Sequence, residues 1–340
     1  MTTTVKPVAL VELNHRNYWS STAASSFGFC ACAYSKRISY IDQQFRTHQI
    51  PGDWERRLYG SSILESNDSE NKVRLAIRHG NKLTVVDLEG NIEFQCNSPE
   101  GARHYFGASH FDHHRNELWL STTLSKDKFE IRILDTNSWK VVEQRVMDDP
   151  MSDHSGQSFY HTYQPGIVGM DLTTGGCGDA FYILDRENGI SFEEAVIDEA
   201  RYVVFSPYRK EFLANAGHTG IVRFGYPRVG WFDDTSDLNE ALSEASGVES
   251  YVSGSIAYLS SGSALITDEN SIGVLNLATM TLQDTIKVEL GEWASDPRVG
   301  DKSMHWSWFE RIHDQIVFVQ SHGFDEEQKT LIWVVPVEQF

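Results

Sequence analysis

The chain predicts an all-β fold, a β-propeller, on three observations. A short apolar strand, a polar turn and a second strand recur along it, most clearly over 111–146, where strands at 117–121, 129–134 and 140–143 alternate with hairpin turns. Comparable phrases stand at 82–94, 201–224, 256–288 and 315–337. They return about every 40 to 50 residues, the period of propeller blades, whose small sheets bury both faces only by stacking on neighbours. Finally, 9 Trp and 18 Phe in 340 residues supply bulk for the wedge-shaped gaps between such sheets.

Taken in order, the N-terminal run 8–13 reads as a strand standing before the first full unit. Blades are then expected near 20–57, 58–100, 101–149, 150–197, 198–246, 247–297 and 298–340, seven in one domain covering 1–340. Turns such as Leu88-Glu89-Gly90-Asn91, Asp135-Thr136-Asn137-Ser138 and Arg186-Glu187-Asn188-Gly189 place Gly, Asn or Asp where a hairpin needs positive φ. One stretch breaks the rhythm: Leu238, Ala241, Leu242 and Ala245 follow a cap at Ser236 or Asp237 with helical spacing, so a short helical insertion is expected over 233–247. The last blade offers strands at 305–309, 316–319 and 331–335 and no fourth. The strand 8–13 is expected to supply it, closing the propeller and covering an exposed edge.

Composition narrows the functional classes. No run approaches the roughly 18 to 20 apolar residues of a membrane helix. The start, Met1-Thr2-Thr3-Thr4-Val5-Lys6-Pro7, lacks a secretory pattern, which points to the cytoplasm. Cys30, Cys32, Cys96 and Cys177 read as reduced thiols packed in strands. With 29 basic and 48 acidic residues the net charge is −19, which opposes direct contact with nucleic-acid phosphates or anionic membranes and favours a basic protein partner.

Phe205-Ser206-Pro207 after a strand start, and Phe111-Asp112 followed by His113-His114-Arg115-Asn116-Glu117-Leu118-Trp119, resemble the strand–turn–strand opening of WD40-like propeller repeats. The resemblance covers most of the chain as a rhythm and implies the propeller fold and a role as an interaction platform. It departs from that family in lacking a Trp-Asp strand ending, and the Gly-His pair occurs only at Gly217-His218. No catalytic residue carries over from it.

Four segments hold candidate chemistry. His110 and Asp112 would share one strand face, with His113, His114 and His104 nearby, an imidazole and carboxylate set that a divalent metal accepts; a polar turn also tolerates these residues, and no metal or cofactor is expected to be required. His154 to His161, with Ser155 and Ser158, reads as a long loop leading into the fourth blade, a place where binding residues gather, without the elbow of a serine hydrolase. Asp171 to Asp179 is glycine-rich but lacks a phosphate-loop lysine and fits no EF-hand spacing, so it reads as a flexible hairpin. Trp231, Phe232, Asp233 and Asp234 join aromatic anchors to carboxylates, the composition of a protein-binding patch on the rim loops. Together these predict a non-enzymatic interaction protein that binds a basic partner through Trp231, Phe232, Asp233, Asp234, His154 and His161, in its specific form an inhibitor or immunity protein. The alternative is a hydrolase or lyase with its site in the central channel.

Overall fold

The computed structural model describes residues 2–13, 17–25, 28–33, 37–54, 58–65, 73–100, 102, 106–148, 156–174, 177–187, 191–195, 200–216, 221–225, 230–233, 255–267, 272–291, 293, 308–322 and 329–340. Two short strands come first, β1 (Thr2–Val5) and β2 (Ala9–Leu13). Next are β3 (Asn17–Ser25), β4 (Gly28–Ala33), β5 (Ile38–Asp42) and β6 (Thr47–Gln49), then β7 (Leu58–Glu65), β8 (Val73–His79), β9 (Lys82–Asp87) and β10 (Ile92–Asn97). A third set is β11 (Phe106–Asp112), β12 (Glu117–Ser125), β13 (Lys128–Asp135) and β14 (Lys140–Asp148), and a fourth β15 (Gly156–His161), β16 (Ile167–Thr174), β17 (Cys177–Asp185) and β18 (Ser191–Ala195). Then follow β19 (Ala200–Phe205), β20 (Glu211–Ala216), β21 (Ile221–Gly225) and β22 (Gly230–Asp233). The last seven are β23 (Ile256–Tyr258), β24 (Ser263–Thr267), β25 (Ile272–Asn276), β26 (Thr281–Val288), β27 (Trp308–Ile312), β28 (Gln315–His322) and β29 (Lys329–Pro336). These strands form six sheets of four and one of five.

Two compact units hold the sheets. In His15–Glu194, the sheets β3–β6, β7–β10, β11–β14 and β15–β18 each run in chain order, and their first strands lie side by side, β7 against β3 and β11, and β11 against β15. Alternation along each strand sends apolar side chains into the gaps between successive sheets. Tyr40, Ile50 and Trp54 meet Ile63, Leu75 and Ile77 in the first gap. Leu64, Leu83 and Val85 meet Phe106, Leu118 and Leu120 in the second, and Trp119, Phe129 and Ile133 meet Met170, Tyr182 and Leu184 in the third. The fully buried Trp119 and Phe129 fill the last of these, each side chain contributing about 1.5–3 kcal/mol by burial.

In Met1–Asn14 with Ala195–Phe340, the same construction joins β19–β22 to β23–β26 through Leu213, Ile221, Tyr258 and Ile266. The sheet β23–β26 meets β27–β29 through Leu265, Val274, Phe318 and Trp333. The N-terminal segment completes both. Its second strand, β2, pairs antiparallel with β29 from Ala9 opposite Val334 to Leu13 opposite Thr330, the pairing that the missing fourth strand predicts. Its first strand, β1, pairs parallel with β26 from Thr2 opposite Thr285 to Val5 opposite Val288 and makes that sheet five-stranded, which the sequence pattern does not reveal. Val5 is fully buried in the core between the two sheets, so the segment is held by side-chain burial as well as by backbone pairing.

Two readings of the sequence change here. The run from Gly156 to His161 is the strand β15 rather than a long loop. Gly-Gln-Ser is a weak start for a strand, and Phe159 and Tyr160, which favour one, together with pairing along β16 outweigh it. Trp231, Phe232 and Asp233 lie in β22, the last strand of its sheet, rather than in a rim loop, with Trp231 opposite Phe224 and Asp233 opposite Arg223. Asp234, the expected helix up to Gly247, His104 and His154 fall outside the described residues. Among the described residues, no helix is long and apolar enough to cross a membrane.

Candidate functional site

Among the described residues, chemistry-bearing side chains gather where two hairpins of successive sheets come together. The β11–β12 hairpin carries His110 and Asp112 on its first strand and His113, His114 and Arg115 in its turn. The β15–β16 hairpin brings His161 at its strand end, then Tyr163 and Gly166. The His161 ring centroid is 5.5 Å from that of His110, 6.1 Å from that of His113 and 4.4 Å from the ring of Tyr163. His113 and His114 are 3.9 Å apart. Sequence reading singled out His110 and His161 separately; the packing of β11 on β15 makes them neighbours.

Asp112 is the fastener of this junction. Its buried carboxylate accepts hydrogen bonds from the backbone N–H groups of His114 at 3.0 Å and Arg115 at 3.3 Å in its own turn, and from Gly166 at 2.6 Å in the neighbouring hairpin. A carboxylate spent on three N–H groups is a structural brace, not a metal ligand in waiting. Gly166 accepts this role because its φ of +71° is open to glycine, and a Cβ there would stand 3.2 Å from Cβ of Arg186. Among the described residues, no three imidazole, thiol or carboxylate groups are arranged to hold a metal ion.

Charge surrounds the cluster. Arg115 pairs with Glu117 at 3.2 Å and reaches Glu187 at 3.8 Å, while Arg186 pairs with Glu143 and lies 3.6 Å from Glu117. These ion pairs link the third sheet to the fourth. Burial, with the repulsion of His113, lowers the pKa of His110 to about 4. Loss of water around the ring, then repulsion from His110 and His113, draws His161 down to about 3 against the pull of Asp112, although the residue as a whole is exposed. Both imidazoles are therefore neutral at pH 7, able to donate one hydrogen bond and accept another.

Deeper in the fourth sheet, Tyr160 donates a 2.8 Å hydrogen bond to Asp171, whose buried carboxyl is pushed up to about 6 by desolvation. Asp171 is thus a strand residue committed to its own sheet, and the described residues of the glycine-rich stretch belong to β16 and β17. In the other unit, Arg311 donates to Oη of Tyr208 at 2.6 Å and to the carbonyls of Tyr258 and Leu259 at 2.8 and 3.0 Å, clamping three successive first hairpins. Nearby in chain order, desolvation raises Glu310 to about 7. Neither Arg311 nor Tyr160 carries a motif; their partners lie far along the chain or on an adjacent strand.

No protein-family model and no curated protein matches the chain by sequence. Among solved structures, the β-propeller domain of Cps50 (Swd1) from Myceliophteria thermophila is similar to it, with a TM-score of 0.61 and 12% identity over 96% of this chain and 98% of that one. Such a likeness concerns fold alone. The chain has an all-β β-propeller fold.

Proposed function

We propose that the protein is a non-enzymatic interaction propeller that acts in the cytoplasm and binds a basic protein partner. The net charge of −19 carries this reading, since a field of that sign attracts cationic surfaces and repels phosphate-bearing ones. Trp231, Phe232, Asp233 and Asp234, with His154 and His161, are the proposed contacts: aromatic anchors beside carboxylates suit a hot spot with an acidic rim. An inhibitor or immunity protein covering the active site of a toxin or nuclease is the specific form, because its carboxylates would stand where that enzyme expects phosphates.

Capture of partners from a lysate tests this, comparing the wild type with Trp231→Ala and with Asp233→Lys combined with Asp234→Lys. The expected result is recovery of a basic protein by the wild type and its loss in both variants. Retention of the same partners at the same salt resistance in both variants would remove the patch. A small substrate turned over by the purified protein, with turnover abolished by substitution of His110 or His154, would establish the hydrolase or lyase alternative.

A further inference from the structure

Outer strands of the sheets differ in how their free edges are treated. The edge of β26 is covered by β1 and that of β29 by β2, while β6 is only three residues long. In contrast, β14 has nine residues, and among the described residues no strand pairs with its outer side. It also exposes apolar surface, Val141 at 48%, Val142 at 47% and Val146 at 54%. A long edge with exposed valines is a template for another strand.

The residue order along β14 identifies the occupant. It reads Lys140, Val141, Val142, Glu143, Gln144, Arg145, Val146, Met147, Asp148. Laid antiparallel against a second copy about Gln144, it places Lys140 opposite Asp148, Val141 opposite Met147, Val142 opposite Val146, Glu143 opposite Arg145 and Gln144 opposite itself. Every charge meets its opposite and every apolar residue meets an apolar one. By two-fold symmetry each of these pairs occurs twice, apart from the central glutamine pair.

Other registers lose this match. Centring on the neighbouring residue instead sets Glu143 against Glu143 or Arg145 against Arg145, and a parallel in-register arrangement puts like charge on like charge throughout. Like charges directly opposite are unfavourable in a sheet, so the pattern favours one register and one direction. The ladder between β14 and β13 has one irregularity, at Val142, and runs regularly from Glu143 to Asp148, so the centre of the proposed pairing falls in the regular part.

We infer that β14 is a self-complementary edge through which two copies of this chain pair antiparallel about Gln144, joining two four-stranded sheets into one. The surface is distinct from the partner patch proposed above and does not depend on it.

Sedimentation equilibrium over a range of concentrations tests the pairing. The wild type is expected to dimerise, and hydrogen exchange over 140–148 to slow as the dimer fills. Lys140→Asp and Asp148→Lys each set like charges together and should weaken the dimer about tenfold. The double variant, with both charges exchanged, restores opposite pairs and should recover wild-type affinity. A wild type still monomeric at ~100 μM, a dimer indifferent to both single reversals, or a double variant as weak as the single ones would each overturn the inference.

Discussion

At Gly166 a single hydrogen atom in place of a side chain lets the fourth sheet fasten to the third, since its N–H reaches Asp112 from a turn with positive φ. Gly166→Ala should destabilise the protein by about 1–2 kcal/mol through strain at that φ and crowding of Arg186, and Asp112→Ala by at least as much, because three N–H groups lose a charged acceptor. Denaturant unfolding checks both; no change in midpoint for Asp112→Ala would show that the brace carries no stability. Titration supplies a second expectation. His110 and His161 have folded pKa values, about 4 and about 3, below the ordinary 6.5, so the unfolded chain takes up protons first as the pH falls. Their contribution is present above about pH 6.5 and is lost as the pH drops toward 4 and 3. Asp171 and Glu310 act in the opposite sense. Raised to about 6 and about 7, they favour folding below their ordinary values of 3.8 and 4.5 and lose that contribution as the pH rises through 6 and 7. Melting temperatures between about pH 4 and pH 8 should therefore fall less steeply on the acid side for His110→Asn with His161→Gln, and less steeply on the neutral side for Asp171→Asn. Parallel profiles for wild type and variants would contradict these assignments.

The N-terminal segment is the element with the greatest leverage. Its thirteen residues serve two sheets, β1 lying on β26 and β2 on β29, with Val5, Val11 and Leu13 all buried. Burial of each such side chain is worth roughly 1.5–3 kcal/mol, and removal also uncovers two strand edges. Truncation after Leu13 should lower the melting temperature substantially and promote association through the exposed β29. Truncation after Val5 should cause an intermediate loss, since β2 and its pairing survive. Calorimetry on the two truncated chains distinguishes the contributions; equal melting of the longer truncation and the full chain would show that the segment does not fasten these sheets. The segment 8–13 was legible because the C-terminal phrase lacks a fourth strand. The pairing of β1 was not, since Thr-Thr-Thr-Val is too short and too polar to announce a strand.

At the scale of the whole molecule, charge governs encounter. The sequence pI is about 5.0, so the field that attracts a basic partner at pH 7 fades as the pH approaches 5. Capture of that partner should be strong near neutrality, should weaken as salt shortens the screening length below about 8 Å, and should be lost near pH 5. Binding unchanged under both conditions would place the affinity in apolar contacts instead. Stability does not follow the same curve, because the buried His, Asp and Glu groups titrate against one another rather than with net charge.

Alternation of apolar and polar residues, the spacing of turns and the strand missing at the C-terminus belong to the sequence by itself, and they determined the propeller class, the approximate extent of each sheet and the place of β2. Such signals are local: a period of two along a strand survives without knowledge of any neighbour. Only tertiary structure decided which chemistry meets. His110 and His161 lie on separate hairpins and become neighbours because β11 packs on β15. Asp112 braces two hairpins, and Asp171, read from the sequence as part of a flexible hairpin, is buried in a strand and accepts a hydrogen bond from Tyr160. The self-complementary order of β14 is written in its nine residues, but its meaning depends on the strand being last in its sheet with its outer edge uncovered. Long-range pairing sets those environments, and no residue's identity specifies its distant neighbours.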